Sequence, residues 1–138
     1  MTSKIKIVIP VMARPKKNSQ QIIFNTKTKR PMVIQSKLYL EFEKECKAYL
    51  KDYKLKIEYP VNLKCTFYVN TRHKRDLVNL INAVQDILVK YEVLADDNYN
   101  IVAGLDGSRV IYDKNRTETI IEIDEVKWYG EKRTRCWH

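Results

Sequence analysis

Leu77, Leu80, Ile81, Val84, Ile87, Leu88 and Tyr91 recur three and four residues apart, the period of an α-helix with one buried stripe. The run just upstream, VNLKCTFYVN, keeps a different period. Val61, Leu63, Cys65, Phe67 and Val69 fall on one face and Asn62, Lys64, Thr66, Tyr68 and Asn70 on the other, as in a strand with a buried side. An apolar stripe and a one-sided strand each need a partner surface, so this pair of patterns restricts the chain to helices packed on a sheet.

The remaining segments extend that arrangement. Residues Lys4 to Val11 alternate Ile5, Ile7 and Ile9 against Lys4, Lys6 and Val8, and Pro10 closes a first strand. From Ala13 to Gln35 no period is sustained, which predicts a long basic loop with room for a small hairpin. Ser36 is placed to cap a helix running to about Tyr53, with Leu38, Phe42, Cys46, Tyr49, Leu50 and Tyr53 as its apolar side. After the second helix, NIVAGLDGSRVIYD and TETIIEIDEVKW read as two strands joined by DKNR, with Gly104 and Gly107 marking a bulge or bend in the first. A basic tail, YGEKRTRCWH, comes last. With no repeat or Pro/Gly linker, residues 1–138 are expected to form one α+β domain.

Charge narrows the partner. Of 138 residues, 26 are Lys or Arg and 17 are Asp or Glu, a net charge of +9 that favours a polyanion such as nucleic acid, with an anionic membrane surface as the other option. No apolar run approaches a membrane span, and MTSKIKIVIPV is too short and too evenly charged for a signal peptide, so a cytoplasmic protein is expected. Cys46, Cys65 and Cys136 are odd in number and lack zinc-ligand spacing, and two of them are expected to pack as small apolar groups. His73 and His138 read as surface residues, leaving oxygen as the donor for any metal.

Acids bracket the second helix. Asp76 is suited to cap its first turn, and Asp96 with Asp97 suits a turn beyond its end, roles that need no chemistry. A helix from Asp76 to about Tyr91 is about 23 Å long, so Asp76 and Asp97 meet only if the chain folds back. The stretch EVLADDNYNIV offers a return beside the preceding strand, and carboxylates gathered at the sheet end next to Arg72, Lys74 and Arg75 would suit a divalent cation rimmed by phosphate-binding groups.

The ordered set Arg75, Asp76, Leu77, Asn79, Leu80, Asp86, Leu88, Asp96 and Asp97 resembles the signature of the RusA family of Holliday junction resolvases, and ARPKKNS resembles that family's Pro-containing, Lys/Asn-rich loop after the first strand. The resemblance implies a mixed β-sheet packed with two main helices, and a homodimer that nicks four-way DNA junctions in pairs during recombination and repair, with Mg²⁺ or Mn²⁺. By position it makes Asp76 and Asp97 metal-binding catalytic carboxylates, with Asp96 as their catalytic neighbour. The DNA contacts would come from Arg14, Lys16, Lys17, Lys27, Lys29, Arg30, Arg72, Lys74 and Arg75. Three positions depart from the family pattern: Val78 stands where a second acid is expected, Asn82 where a lysine assists catalysis, and Glu92 where a glycine comes after the helix. The first two define an alternative, a branched-DNA-binding relative with weak or no cleavage.

DNA affinity is expected to fall steeply with salt, because phosphate neutralisation by these cations releases counterions. Titrations at several salt concentrations measure the slope, and a flat dependence would rule out phosphate contacts as the main source of affinity.

Overall fold

Strand β4, Val61–Val69, has partners along both edges, and the other strands of the main sheet are arranged around it. In the computed structural model, which describes residues 4–16, 20–25, 27, 30–35 and 37–127, the element order is β1 (Lys4–Ile9), β2 (Gln20–Asn25), β3 (Arg30–Gln35), α1 (Lys37–Leu50), β4, α2 (Leu77–Lys90), β5 (Val102–Gly104), β6 (Arg109–Tyr112) and β7 (Glu118–Glu125). The main sheet is mixed. On one side, β7 pairs antiparallel with both β4 and β1. Along the other edge β5 and then β6 pair with β4 in parallel. The result is an α+β fold, with two helices among the described residues.

The register explains the core. Ile7, Ile121 and Cys65 stand side by side across three strands, as do Ile5, Ile123 and Leu63, so strand-period residues collect on one face. Phe42, Cys46 and Leu50 of α1 and Val84, Ile87 and Leu88 of α2 cover that face together. Glu43 of α1 and Lys90 of α2 pair at 2.6 Å across the helix seam. The opposite face carries Glu122 between Lys4 and Lys64, at 3.2 and 3.9 Å, a charged row suited to water.

Two expectations change and one becomes definite. The small hairpin allowed for in the basic segment after β1 is present, with β2 and β3 paired antiparallel, Gln20 opposite Gln35. The buried side of α1 is Tyr39, Phe42, Cys46 and Leu50, whereas Leu38 and Tyr49 are 51% and 42% exposed. Tyr39, Phe42, Cys46 and Leu50 maintain the 3–4–4 spacing of one stripe, and Leu38 and Tyr49 fall to its flank. Ser36 lies outside the described residues. The single strand expected over 100–113 is two strands, separated by a turn in which Gly107 has φ +87.

That interruption leaves backbone groups of the turn and of β4 to satisfy, and side chains supply the bonds. Asn62 donates from Nδ2 to the Asp106 carbonyl at 3.1 Å and accepts from the Asp106 N–H at 2.9 Å. Ser108 Oγ accepts from the Cys65 N–H at 3.0 Å and donates to the Leu63 carbonyl at 3.3 Å. Gly104 lies so close to Asn62 that an added Cβ would sit 2.7 Å from its Oδ1.

Helix α2 ends in a Schellman arrangement: the Val93 N–H reaches the Leu88 carbonyl at 2.9 Å and the Glu92 N–H reaches that of Val89 at 3.1 Å. Glu92 therefore takes φ +62, a left-handed value that suits the glycine of the resembled pattern.

This packing has two measurable outcomes. Left-handed backbone costs an L-residue about 1–2 kcal/mol, and glycine's extra chain entropy gives back about 0.5–1. The exposed Glu92→Gly variant is thus expected to be more stable by up to about 1 kcal/mol, seen as a higher urea midpoint at unchanged slope. Burial pushes the Cys46 and Cys65 thiols up to about 12, so at pH 8 two thiols should resist a disulfide reagent until the protein is unfolded.

Candidate functional site

Asp76 precedes the first helical residue of α2 with φ −107 and ψ 115, and its Oδ1 accepts from the N–H groups of Val78 at 2.9 Å and Asn79 at 3.4 Å. This is an N-cap. Oδ2 accepts no hydrogen bond among the described residues, so one oxygen of the carboxylate faces outward uncommitted. The positive end of the helix favours a charged carboxylate there.

The loop that delivers Asp76 is held by its neighbour. Arg75 donates to the Thr71 carbonyl at 3.1 Å, the His73 carbonyl at 2.9 Å and Thr71 Oγ1 at 2.6 Å, and contacts Met12 Sδ at 3.8 Å. Desolvation holds its guanidinium below the ordinary value, and the like charge of Arg14 adds to the effect. The contact of Arg75 with Met12 places the segment after β1 beside this loop. Arg75 is a brace for residues 71–75 as much as a phosphate contact.

Beside this loop a cleft of about 380 Å³ opens at the carboxyl ends of β4 and β6. Val69, Val110 and Leu77 form its apolar part, and Arg72 and His73 its basic side. The Arg72 guanidinium lies 4.5 Å from the centroid of the Tyr112 ring, which forms a further wall. Arg75 and Leu77 both line the cleft, and Asp76 lies between them in the chain without lining it. Tyr112 and Thr71 carried no signal in the sequence. Their place depends on Tyr112 pairing with Val69, a parallel register between distant segments.

Asp96 and Asp97 stand elsewhere. The Ala95 N–H bonds to the Ile57 carbonyl at 3.0 Å, Ile57 bridges to Leu94, and the Val61 N–H bonds to the Ile101 carbonyl at 2.8 Å, so residues 94–101 lie at the start of β4. Asp76 comes after the end of β4. Helix α2, 14 residues long, separates the two positions by about 21 Å. The expected return does occur, with β5 and β6 running back beside β4, but a strand antiparallel to the helix leaves the pair that precedes it at the helix's far end. One chain therefore does not bring Asp97 to Asp76 or to Arg72, Lys74 and Arg75. Among the described residues no three His, Cys, Asp or Glu side chains gather as a metal-holding set. A divalent cation built on Asp76 and Asp97 does not fit a single chain.

The two acids of the turn also differ. Asp96 accepts from the Asp97 N–H through Oδ1 at 2.7 Å and from Asn98 through Oδ2 at 3.1 Å, which commits both oxygens to the turn. The Asp97 carboxylate is exposed and has no such partner among the described residues. Asp86, mid-helix, pairs with Lys16 at 3.5 Å, tying the basic segment after β1 to α2. Lys74 and Lys27 are exposed. Lys17 and Lys29 lie outside the described residues, as does the side chain of Arg30. Val78 is 62% exposed on the first turn of α2, and Asn82 is also exposed.

No helix among the described residues is long and apolar enough to cross a membrane. No curated protein matches the chain. A family model described as endodeoxyribonuclease RusA matches residues 7–124, from β1 through β7, a span that includes the cleft, the α2 cap and the Asp96–Asp97 turn. With most of its length under that match, the chain belongs to the RusA family of endodeoxyribonucleases.

Proposed function

We propose that this chain is a divalent-metal-dependent endonuclease that resolves four-way DNA junctions by paired nicks, acting as a homodimer in which Asp76 of one protomer meets Asp97 of its partner. The observation that carries the dimer is the separation of these residues by the whole length of α2, combined with the uncommitted oxygens of both. In a two-fold assembly the contact is reciprocal, so one interface would create two equivalent centres, one for each nick. Mg²⁺, with Mn²⁺ as a substitute, would supply Lewis acidity to such a centre. The residues of this chain have separate tasks. Asp76 presents Oδ2 next to the loop that lines the basic cleft, Asp97 presents its carboxylate from the opposite end of the fold, and Arg14, Arg72 and Lys74 neutralise phosphates nearby. Asp96 holds the turn that aims Asp97.

A second reading, a junction-binding relative with weak or no cleavage, is favoured by Val78 and Asn82, where no acid and no cation face solvent on the first turns of α2. Metal-dependent nicking of a four-way junction separates the two.

Asp76→Asn and Asp97→Asn are each expected to lower nicking by roughly 100-fold or more, the scale of losing one transition-state contact, while retaining junction binding. Heterodimers made by co-expressing the two variants under different tags contain one centre with both carboxylates intact. They are expected to nick one strand at about half the wild-type rate, whereas a centre contained within each chain leaves both damaged and the mixture inactive. Sedimentation of the wild-type protein should give a dimer.

A further inference from the structure

We infer that the cleft at the ends of β4 and β6 receives an unpaired nucleotide, its base against the Tyr112–Arg72 stack and its phosphate on the Arg72–His73 side. The position suits a ligand, since the space beyond the carboxyl ends of parallel strands is where loops diverge and open a crevice. The volume of about 380 Å³ lies within the range of small-molecule sites, roughly 300–1,000 Å³.

The lining decides the chemical class. A site for phosphate alone has no use for the apolar surface of Val69, Val110 and Leu77 or for an aromatic wall. An apolar peptide has no use for two guanidinium groups and an imidazole. A nucleotide has a flat π-face and an anion at opposite ends, and the cleft offers a surface for each. Tyr112 ends the edge strand β6 and is 44% exposed, so its ring meets solvent and not the core. The Arg72 guanidinium lies over one face of the ring, so a base has two flat groups to stack on, the free face of Tyr112 or the outer side of the guanidinium. Bases inside a duplex are stacked and paired and do not reach such a cleft. A base at a branch point or in a single strand has already lost part of that stacking, so its entry costs least. The cleft would thus favour branched over uniform DNA through a base contact, while the phosphate contacts elsewhere remain indifferent to structure.

This inference rests on the nuclease reading, and the experiment separates the two. Fluorescence anisotropy in EDTA measures the wild-type full chain, Tyr112→Phe and Tyr112→Ala on a four-way junction, the same junction with abasic nucleotides at the branch point, and a blunt duplex. The expected result is a junction-to-duplex affinity ratio that falls about tenfold in Tyr112→Ala, is kept in Tyr112→Phe, and falls similarly for wild-type protein on the abasic junction. The abasic probe reads the base contact without any variant, so it decides the matter even where Tyr112→Ala fails to fold. Wild-type protein that binds the junction and its abasic form with equal affinity overturns the cleft assignment, and a separate Mg²⁺ assay in which the same protein nicks the junction leaves the nuclease reading intact. Wild-type protein that binds none of the probes overturns both.

Discussion

The connection from β4 through α2 back to β5 and β6 governs the rest of the molecule. Parallel pairing of β4 with both later strands requires the chain to travel from the end of β4 back to its start, and α2 is the rigid segment that does so. Its length sets the distance between the segments on its two sides. The loop of Arg72 to Arg75 is consequently fixed at one end of the sheet and the Asp96–Asp97 turn at the other, regardless of any chemistry assigned to them.

Several side chains near these ends combine a local role with an exposed group. Asp76 satisfies two amide groups with one oxygen and retains the other. Arg75 spends its donors on Thr71 and His73 and so stiffens the loop on which Arg72, His73 and Lys74 are displayed. The paired acids divide the work, Asp96 forming the turn and Asp97 facing out. A capping aspartate and a ligand aspartate are therefore compatible readings of the same residue, because a carboxylate has two oxygens with several acceptor positions.

The basic character of the chain has a matching spatial division. Lysines on the open face of the sheet are balanced by Glu122, which Lys4 and Lys64 hold below the usual carboxylate range, largely through its bond to Lys4. Lys16 is balanced by Asp86. Near the cleft the basic groups Arg72, His73 and Arg75 form part of the wall, and Lys74, between them in the chain, is exposed. Net charge alone points to a polyanion; the lining of the cleft adds one place on the fold where basic groups are grouped.

The sequence by itself determined the elements with a long, regular period. The alternation of Val61 to Val69 and the helical stripe from Leu77 to Leu88 are local consequences of which side chains need burial, and the cap at Asp76 and the strained Glu92 belong to the same short-range chemistry. Only the tertiary structure decided what depends on pairing between distant segments. It divided residues 100–113 into two strands, since the gap is closed by Asn62 and Ser108 reaching across to and from β4. It placed Tyr112 beside Val69 and opened a cleft there. It also set Asp97 away from Asp76, because the direction of a returning strand, invisible in residue spacing, determines which end of a helix its flanking acids share.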